Sequence, residues 1–274
     1  MVLFICFDLT LSSSGFPEDK VSRSVEEVNV WKIAWSAAGY EPFVLNTLDA
    51  RRHPGYPELQ NIFKQLKAPL GAHNEACYLR WLAISSSGGG YMSDVDIFPL
   101  HMPSDSDNIL PNNGNFTSYE RHIPCFLSAN AREWDRVRVL LQQNLIEHKN
   151  QFWSDLFAFQ AISEQNNNAY ILGSEALPIN RIYSSIQSSS DVAQSINSLK
   201  DVCPITNRLR AIHFSPFAIS QVVKSFHLEY KERTEFIQAW MRNWNEQCYE
   251  PMQRLRHHLR TKGKLVHNLI YYNS

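Results

Sequence analysis

The sequence predicts an α/β protein whose mainly parallel, Rossmann-like sheet is flanked by helices. Short apolar runs alternate with amphipathic stretches through its first hundred residues, the pattern of a wound sheet. Glycines and prolines separate these stretches at the places where helices and strands must stop. With 274 residues, 44% of them hydrophobic and 12% aromatic, the chain can bury a sizeable core. The expected organisation is one domain over residues 1–230 and a helical C-terminal extension over 231–274.

Residues 2–8 read as a first buried strand, too short for a membrane span and without the basic flank of a signal peptide. Residues 24–38 read as a helix with Val25, Val28, Trp31, Ile33 and Trp35 on its apolar face, ended by Gly39. Pro42 to Asn46 is a second strand and Pro57 to Leu66 a short helix. Residues 74–86 carry Ala76, Leu79, Leu82 and Ala83 at helical spacing, with Asn74 as the expected cap. Strands follow at 115–119 and 123–128, and helices at 133–147 and 153–162, the second started by Ser154. The serine-rich segment 184–198 reads as a surface loop and a candidate lid. Arg210 to Phe214 is a short strand, Ser215-Pro216 a strong helix start, and helices at 231–247 and 250–260 finish the chain.

The stretch Gly88-Gly89-Gly90-Tyr91-Met92-Ser93-Asp94-Val95-Asp96-Ile97-Phe98-Pro99 carries the chemistry. In an extended backbone Asp94 and Asp96 point to one face. Paired carboxylates at a strand end suit a hard divalent cation, Mg²⁺ or Mn²⁺, which commonly bridges protein carboxylates to a substrate phosphate. Ligands of wound sheets bind beyond the carboxyl ends of the strands, where these acids are expected.

A helix carrying Arg80, then Gly89-Gly90, then a strand ending in Asp94-x-Asp96, resembles the glycosyltransferases with a DXD sugar-nucleotide-binding motif, the group of the yeast-type mannosyltransferases and bacterial capsular transferases. The resemblance covers roughly residues 73–100. It implies a GT-A fold, a nucleoside-diphosphate sugar donor, a Mn²⁺ or Mg²⁺ cofactor and a retaining transfer. Asp94 and Asp96 would hold the metal, and Arg80, Gly89, Gly90 and Asp94 the donor. Ala76 and Cys77 stand where such sequences carry a Ser-Asp pair, which leaves Asn74 or Glu75 for the ribose contact.

Three further positions complete the expected site. His213 ends an apolar strand and is the candidate third metal ligand, a role a late histidine often has in the resembled family. Ser215 begins a helix whose free N–H groups suit a phosphate. Asp155, among the aromatics of Phe152-Trp153-Ser154-Asp155-Leu156-Phe157, is the candidate catalytic acid, with helix-dipole complementation as its plain alternative.

Composition bounds the partners. Twenty-six basic against 27 acidic residues leave a net charge of −1, which argues against a nucleic-acid binder. No transmembrane segment is expected, although the basic stretch from Arg254 to Lys264 suits peripheral contact with an anionic membrane or a diphosphate lipid. Cys6, Cys77, Cys125, Cys203 and Cys248 are scattered and read as reduced thiols of a cytoplasmic protein, without a structural zinc site. The expectation is a metal-dependent glycosyltransferase acting on a glycan, lipid-linked or protein acceptor. A Mg²⁺-dependent nucleotidyltransferase and a non-catalytic sugar-nucleotide or glycan-binding domain are the competing readings.

Overall fold

The computed structural model describes residues 2–6, 18–100, 110–166, 168–184, 202–226 and 232–250. Two compact units emerge: residues 1–177 with Leu209–His213, and residues 178–208 with 214–274. The expected boundary at 230 is therefore not the observed division, because 178–208 and 214–226 group with the C-terminal helix.

The first unit is built on a six-stranded sheet of order β2-β1-β3-β6-β5-β7. Its strands are β1 (Val2–Cys6), β2 (Glu41–Leu45), β3 (Gly89–Ser93), β5 (Thr117–Ser118), β6 (Phe126–Asn130) and β7 (Ile171–Leu172). A second sheet of order β4-β9-β8 joins β4 (Ile97–Pro99), β9 (Ala211–His213) and β8 (Ala176–Pro178). The first half is parallel as expected, with β1 between β2 and β3. The rest is not: β6 runs antiparallel to both β3 and β5, so the sheet is mixed. The cause is the connection. Among the described residues no crossover α-helix lies between β3 and β6, and β6 returns beside β3 from the opposite direction.

The helices of this unit are α1 (Glu18–Ala37), α2 (Thr47–Arg51), α3 (Tyr56–Gln65), α4 (Gly71–Ser86), α5 (Ala131–Glu147) and α6 (Asp155–Gln165). Of the apolar face expected on α1, Val28, Trp31 and Trp35 are buried, while Val25 and Ile33 are exposed. Residues 28, 31 and 35 share a stripe at helical spacing, and residue 33 lies on the far side of it. α4 begins at Gly71, so Asn74 is not its cap; it sits inside the first turn and donates to the Leu70 carbonyl. Every residue from Tyr78 to Ile84 is buried, as in a helix enclosed on all sides. Asn130 caps α5 and Ser154 caps α6, each accepting a backbone N–H three residues on. α4, α5 and α6 supply most of the core, through Trp81, Leu82, Trp134, Val137, Leu141, Phe159 and Ile162.

The second unit contains α7 (Ile179–Ser184), α8 (Cys203–Thr206), α9 (Pro216–Phe226) and α10 (Arg233–Trp244), which continues into a π-helical turn over Asn245–Tyr249. Two indoles anchor α10: Trp240 Nε1 donates to the Tyr183 hydroxyl and Trp244 Nε1 to Thr206 Oγ1, both at 3.0 Å. Ser215 caps α9 by accepting the Ala218 N–H. Cys203 and Cys248 are joined in a disulfide, which corrects the reading of all cysteines as reduced thiols. Packing of α8 against the π turn brings together two residues 45 positions apart, a closeness no local pattern announces. Loop-closure entropy for a link of that span contributes about 4 kcal/mol. Cys77 and Cys125 are free. The side chain of Cys6 lies outside the described set, as do residues 185–200, which cover nearly all of the expected serine-rich loop, and the basic stretch 254–264. Among the described residues no helix is long and apolar enough to cross a membrane.

Candidate functional site

The acid pair does not lie on an extended strand. β3 ends at Ser93, and Asp94 to Ile97 form a tight turn closed by the Ile97 N–H donating to the Asp94 carbonyl at 3.1 Å. The Asp94 N–H donates to the Cys125 carbonyl at 2.8 Å, and Ser93 Oγ donates to the Asp94 carbonyl. Two tryptophans of α1 bracket the turn. Trp31 Nε1 donates to Ser93 Oγ on one side, and Trp35 Nε1 donates to the Ile97 carbonyl on the other. Both indoles are fully buried, so each needs such a partner. Their bulk fills the core and their N–H groups hold the acid turn.

Behind Asp94 stands Arg80. Its Nη1 donates to Asp94 Oδ1 at 2.6 Å and its Nη2 to Asp155 Oδ2 at 2.7 Å. Trp81 Nε1 also donates to Asp155 Oδ2. The Arg80 and Asp155 side chains are only 9% and 6% exposed, whereas Asp94 is 36% exposed. Burial works against the Arg80 charge, but Asp155 and Asp94 outweigh it and hold the guanidinium in its charged form. Loss of water pushes the Asp94 carboxyl up to about 6; Arg80 pulls it down, and Asp96 pushes it up again. This arrangement recasts two expected roles. Arg80 has both terminal nitrogens bound to carboxylates, so it clamps Asp94. Asp155 is a buried counter-ion, engaged by two donors, and not an acid presented for catalysis.

His213 reaches the acid turn through pairing of β9 with β4, which sets Ile97 opposite His213. Its Nε2 lies 3.6 Å from Asp96 Oδ1. Its Nδ1 lies 3.0 Å from Glu120 Oε2 and 3.2 Å from Oε1. Cys125 Sγ donates to the same Oε2 at 3.1 Å. Burial disfavours charge on the imidazole, yet Asp96, Cys125 and Glu120 outweigh it and raise its pKa well above the ordinary histidine value. Burial, and then the Glu120 charge, push the Cys125 thiol far up. Glu120 was not among the residues expected at the site. It belongs to no motif, and its only signal is an acid held between Tyr119 and the apolar Cys125 to Leu127 strand.

The glycines belong elsewhere. Gly89 and Gly90 open β3 at the end remote from the acids, with φ of +80° and +125°. A Cβ on Gly89 would meet the backbone of Ala131 at 2.6 Å and of Asn130 at 2.7 Å. At Gly89 the missing side chain permits the close approach of β3 to β6. Asn74 is half-buried and bonded within its own helix. Ser215 lies in the second unit as a helix cap. Trp153, considered as a sugar platform, stacks on His148 at 3.8 Å and donates to Asn144 Oδ1.

The first unit thus gathers Asp94, Asp96, Glu120 and His213 at one end of its sheets, backed by Arg80 and Asp155. A family model described as a domain of unknown function, DUF8765, matches residues 17–212. The chain belongs to the DUF8765 family. That match includes the acid turn, Arg80, Glu120, Cys125 and Asp155 and stops one residue before His213. No curated protein and no solved structure matches the chain.

Proposed function

We propose that this DUF8765 protein is a metal-dependent glycosyltransferase that moves a sugar from a nucleoside diphosphate to an acceptor hydroxyl. The observation that carries the reading is the meeting of Asp96 and His213, brought from opposite parts of the chain to 3.6 Å at the end of the acid strand. The donor set fits the ion, which would take the place of the proton that the neighbouring acids favour on the His213 ring. A carboxylate and an imidazole at that spacing suit Mn²⁺ better than Mg²⁺, which prefers oxygen ligands alone. Asp96 and His213 would hold the cation, with Asp94 beside them.

When bound, the cation supplies positive charge against the departing nucleoside diphosphate. The chain's own residues do the positioning. Arg80 and the Cys125 carbonyl hold the side chain and the backbone of Asp94. Trp31 and Trp35 keep the turn from opening. The partly exposed Asp94 carboxylate is available to the donor or its ion. The nucleotidyltransferase reading is weaker, because the glycines it would need as a triphosphate cradle lie at the other end of β3.

The test is hydrolysis of a panel of UDP- and GDP-sugars by the full chain, with Mn²⁺ and with EDTA. Turnover should require Mn²⁺, and Asp96→Ala should lower it by more than about 100-fold while leaving the melting temperature near wild type. Turnover that survives EDTA, or an Asp96→Ala variant as active as wild type, overturns the reading.

A further inference from the structure

The imidazole of His213 is held on both sides, and the two sides differ in kind. On the Nδ1 side, Glu120 lies at 3.0–3.2 Å, the distance of an ordinary hydrogen bond. The Cys125 thiol donates to the same carboxylate, so both polar neighbours of Glu120 there are already matched to it. On the Nε2 side, Asp96 Oδ1 lies at 3.6 Å, beyond hydrogen-bond length. Two ligands on one ion, each bonded at about 2.1 Å, stand about 3.0–3.4 Å apart at octahedral to tetrahedral angles, a few tenths of an ångström inside the observed separation.

The chain invests in this placement of Glu120. Its side chain is 6% exposed, in a setting where an unpaired carboxylate would be costly. The turn that delivers it puts Arg121, a residue with a Cβ, at φ +52° and is closed by the Ile123 N–H donating to the Glu120 carbonyl. Left-handed backbone at a non-glycine residue costs about 1–3 kcal/mol and persists where the surroundings demand it. Cys125 joins the two halves: its carbonyl holds the Asp94 N–H while its thiol holds Glu120.

We propose that Glu120 is a positioning residue of the cation site, accepting the Nδ1–H of His213 and so turning Nε2 toward Asp96 and the ion. The pattern is carboxylate, histidine, metal, in which the outer carboxylate orients the ring and raises its basicity. Cys125 is then a support for Glu120 and not a ligand, although Glu120, Cys125 and His213 offer donor atoms all within 4.8 Å of one another. This inference rests on the metal reading of Asp96 and His213.

The experiment is Mn²⁺ titration of the full chain by calorimetry, paired with electron spin echo modulation, which detects an imidazole nitrogen bound to Mn²⁺. Glu120→Ala should weaken Mn²⁺ by about 10- to 100-fold and diminish the nitrogen modulation. Glu120→Gln keeps an acceptor for Nδ1–H, so it should lose only about three- to tenfold and keep the modulation. Wild-type affinity and modulation in Glu120→Ala overturn the proposal; if that variant does not fold, wild-type affinity in Glu120→Gln does so. Should Asp96→Ala and His213→Ala lose Mn²⁺ while the Glu120 variants keep it, only the role of Glu120 falls. Should the wild-type chain take up no Mn²⁺, the metal reading falls and the role of Glu120 with it.

Discussion

The two ends of β3 are separated by one short strand and are held by different physics. At the upstream end Gly89 is pressed against the backbone of Asn130 and Ala131, and the constraint there is steric. At the downstream end Asp94 and Asp96 sit in a turn held by Arg80, Cys125 and two indoles, and the constraint is electrostatic and hydrogen-bonded. In the sequence, glycines and acids form one continuous motif, and the glycosyltransferase resemblance assigns both to the donor. Separating them teaches that a motif can be one feature in sequence and two in space: the glycines let the strand enter the sheet, and the acids use the place where it leaves.

The largest expected effect breaks the electrostatic end. Arg80→Met leaves Asp155 buried and Asp94 without its counter-ion. Removing one member of such a group typically costs 3–5 kcal/mol, and about 3 kcal/mol is expected here because Asp94 remains partly hydrated. Adding Asp155→Asn removes the stranded charge and should recover at least about 1 kcal/mol, which a double-mutant cycle by urea unfolding would read. Arg80 would return to the role of donor contact if Arg80→Met melted like wild type while losing sugar-nucleotide affinity.

At the steric end, Gly89→Ala places a methyl group 2.6 Å from a backbone nitrogen, at a φ that side chains rarely adopt. Overpacking and backbone strain together predict a loss of about 3 kcal/mol. The comparison makes a sharper demand than the number. Below the unfolding transition, folded Gly89→Ala should bind Mn²⁺ as wild type does, because the acids lie at the other end of the strand. A loss of Mn²⁺ affinity at unchanged stability would show the two ends acting as one site.

Much of the fold was legible wherever a signal is local. Ser154 and Ser215 precede helices they cap, and the 3.6-residue pattern of α5 returns as Trp134, Val137, Leu141 and Leu145 in the core. The parallel first half of the sheet follows from strands separated by helices. What stayed hidden depends on partners distant in sequence. The acid pair forms a turn and not a strand, and the indoles bracketing it come from 62 residues upstream. The antiparallel return of β6, the insertion of Glu120 against His213 across 93 residues, and the pairing of Cys203 with Cys248 belong to tertiary packing. His213 was legible because it ends an apolar run before a helix start. Glu120, with no motif or spacing to mark it, was not.

The smallest effect tests whether the steric end is rigid in detail. Asn130 pairs with Gly89 across the sheet and also caps α5, its Oδ1 accepting the Glu133 N–H at 3.0 Å. The same side chain lies 2.9 Å from the position a Cβ on Gly114 would take, so it fills the gap between the strand end and the preceding 3₁₀ turn. Asn130→Ala removes the cap, and such losses cost about 1 kcal/mol. Asn130→Asp keeps the acceptor and adds a charge that the positive helix end favours, so it should match or slightly exceed wild-type stability. If cap and strand end are independent, Gly89→Ala and Asn130→Ala add when combined. Because the two residues face each other, a coupling of about 0.5 kcal/mol or more is expected instead. The sign has a physical reason: without its cap the first turn of α5 can yield to the new methyl group, so the double variant should lose less than the sum of the two single losses. Strict additivity in urea unfolding would mean that the Ala131 backbone does not give way, and that the collision at Gly89 is relieved by movement of β3.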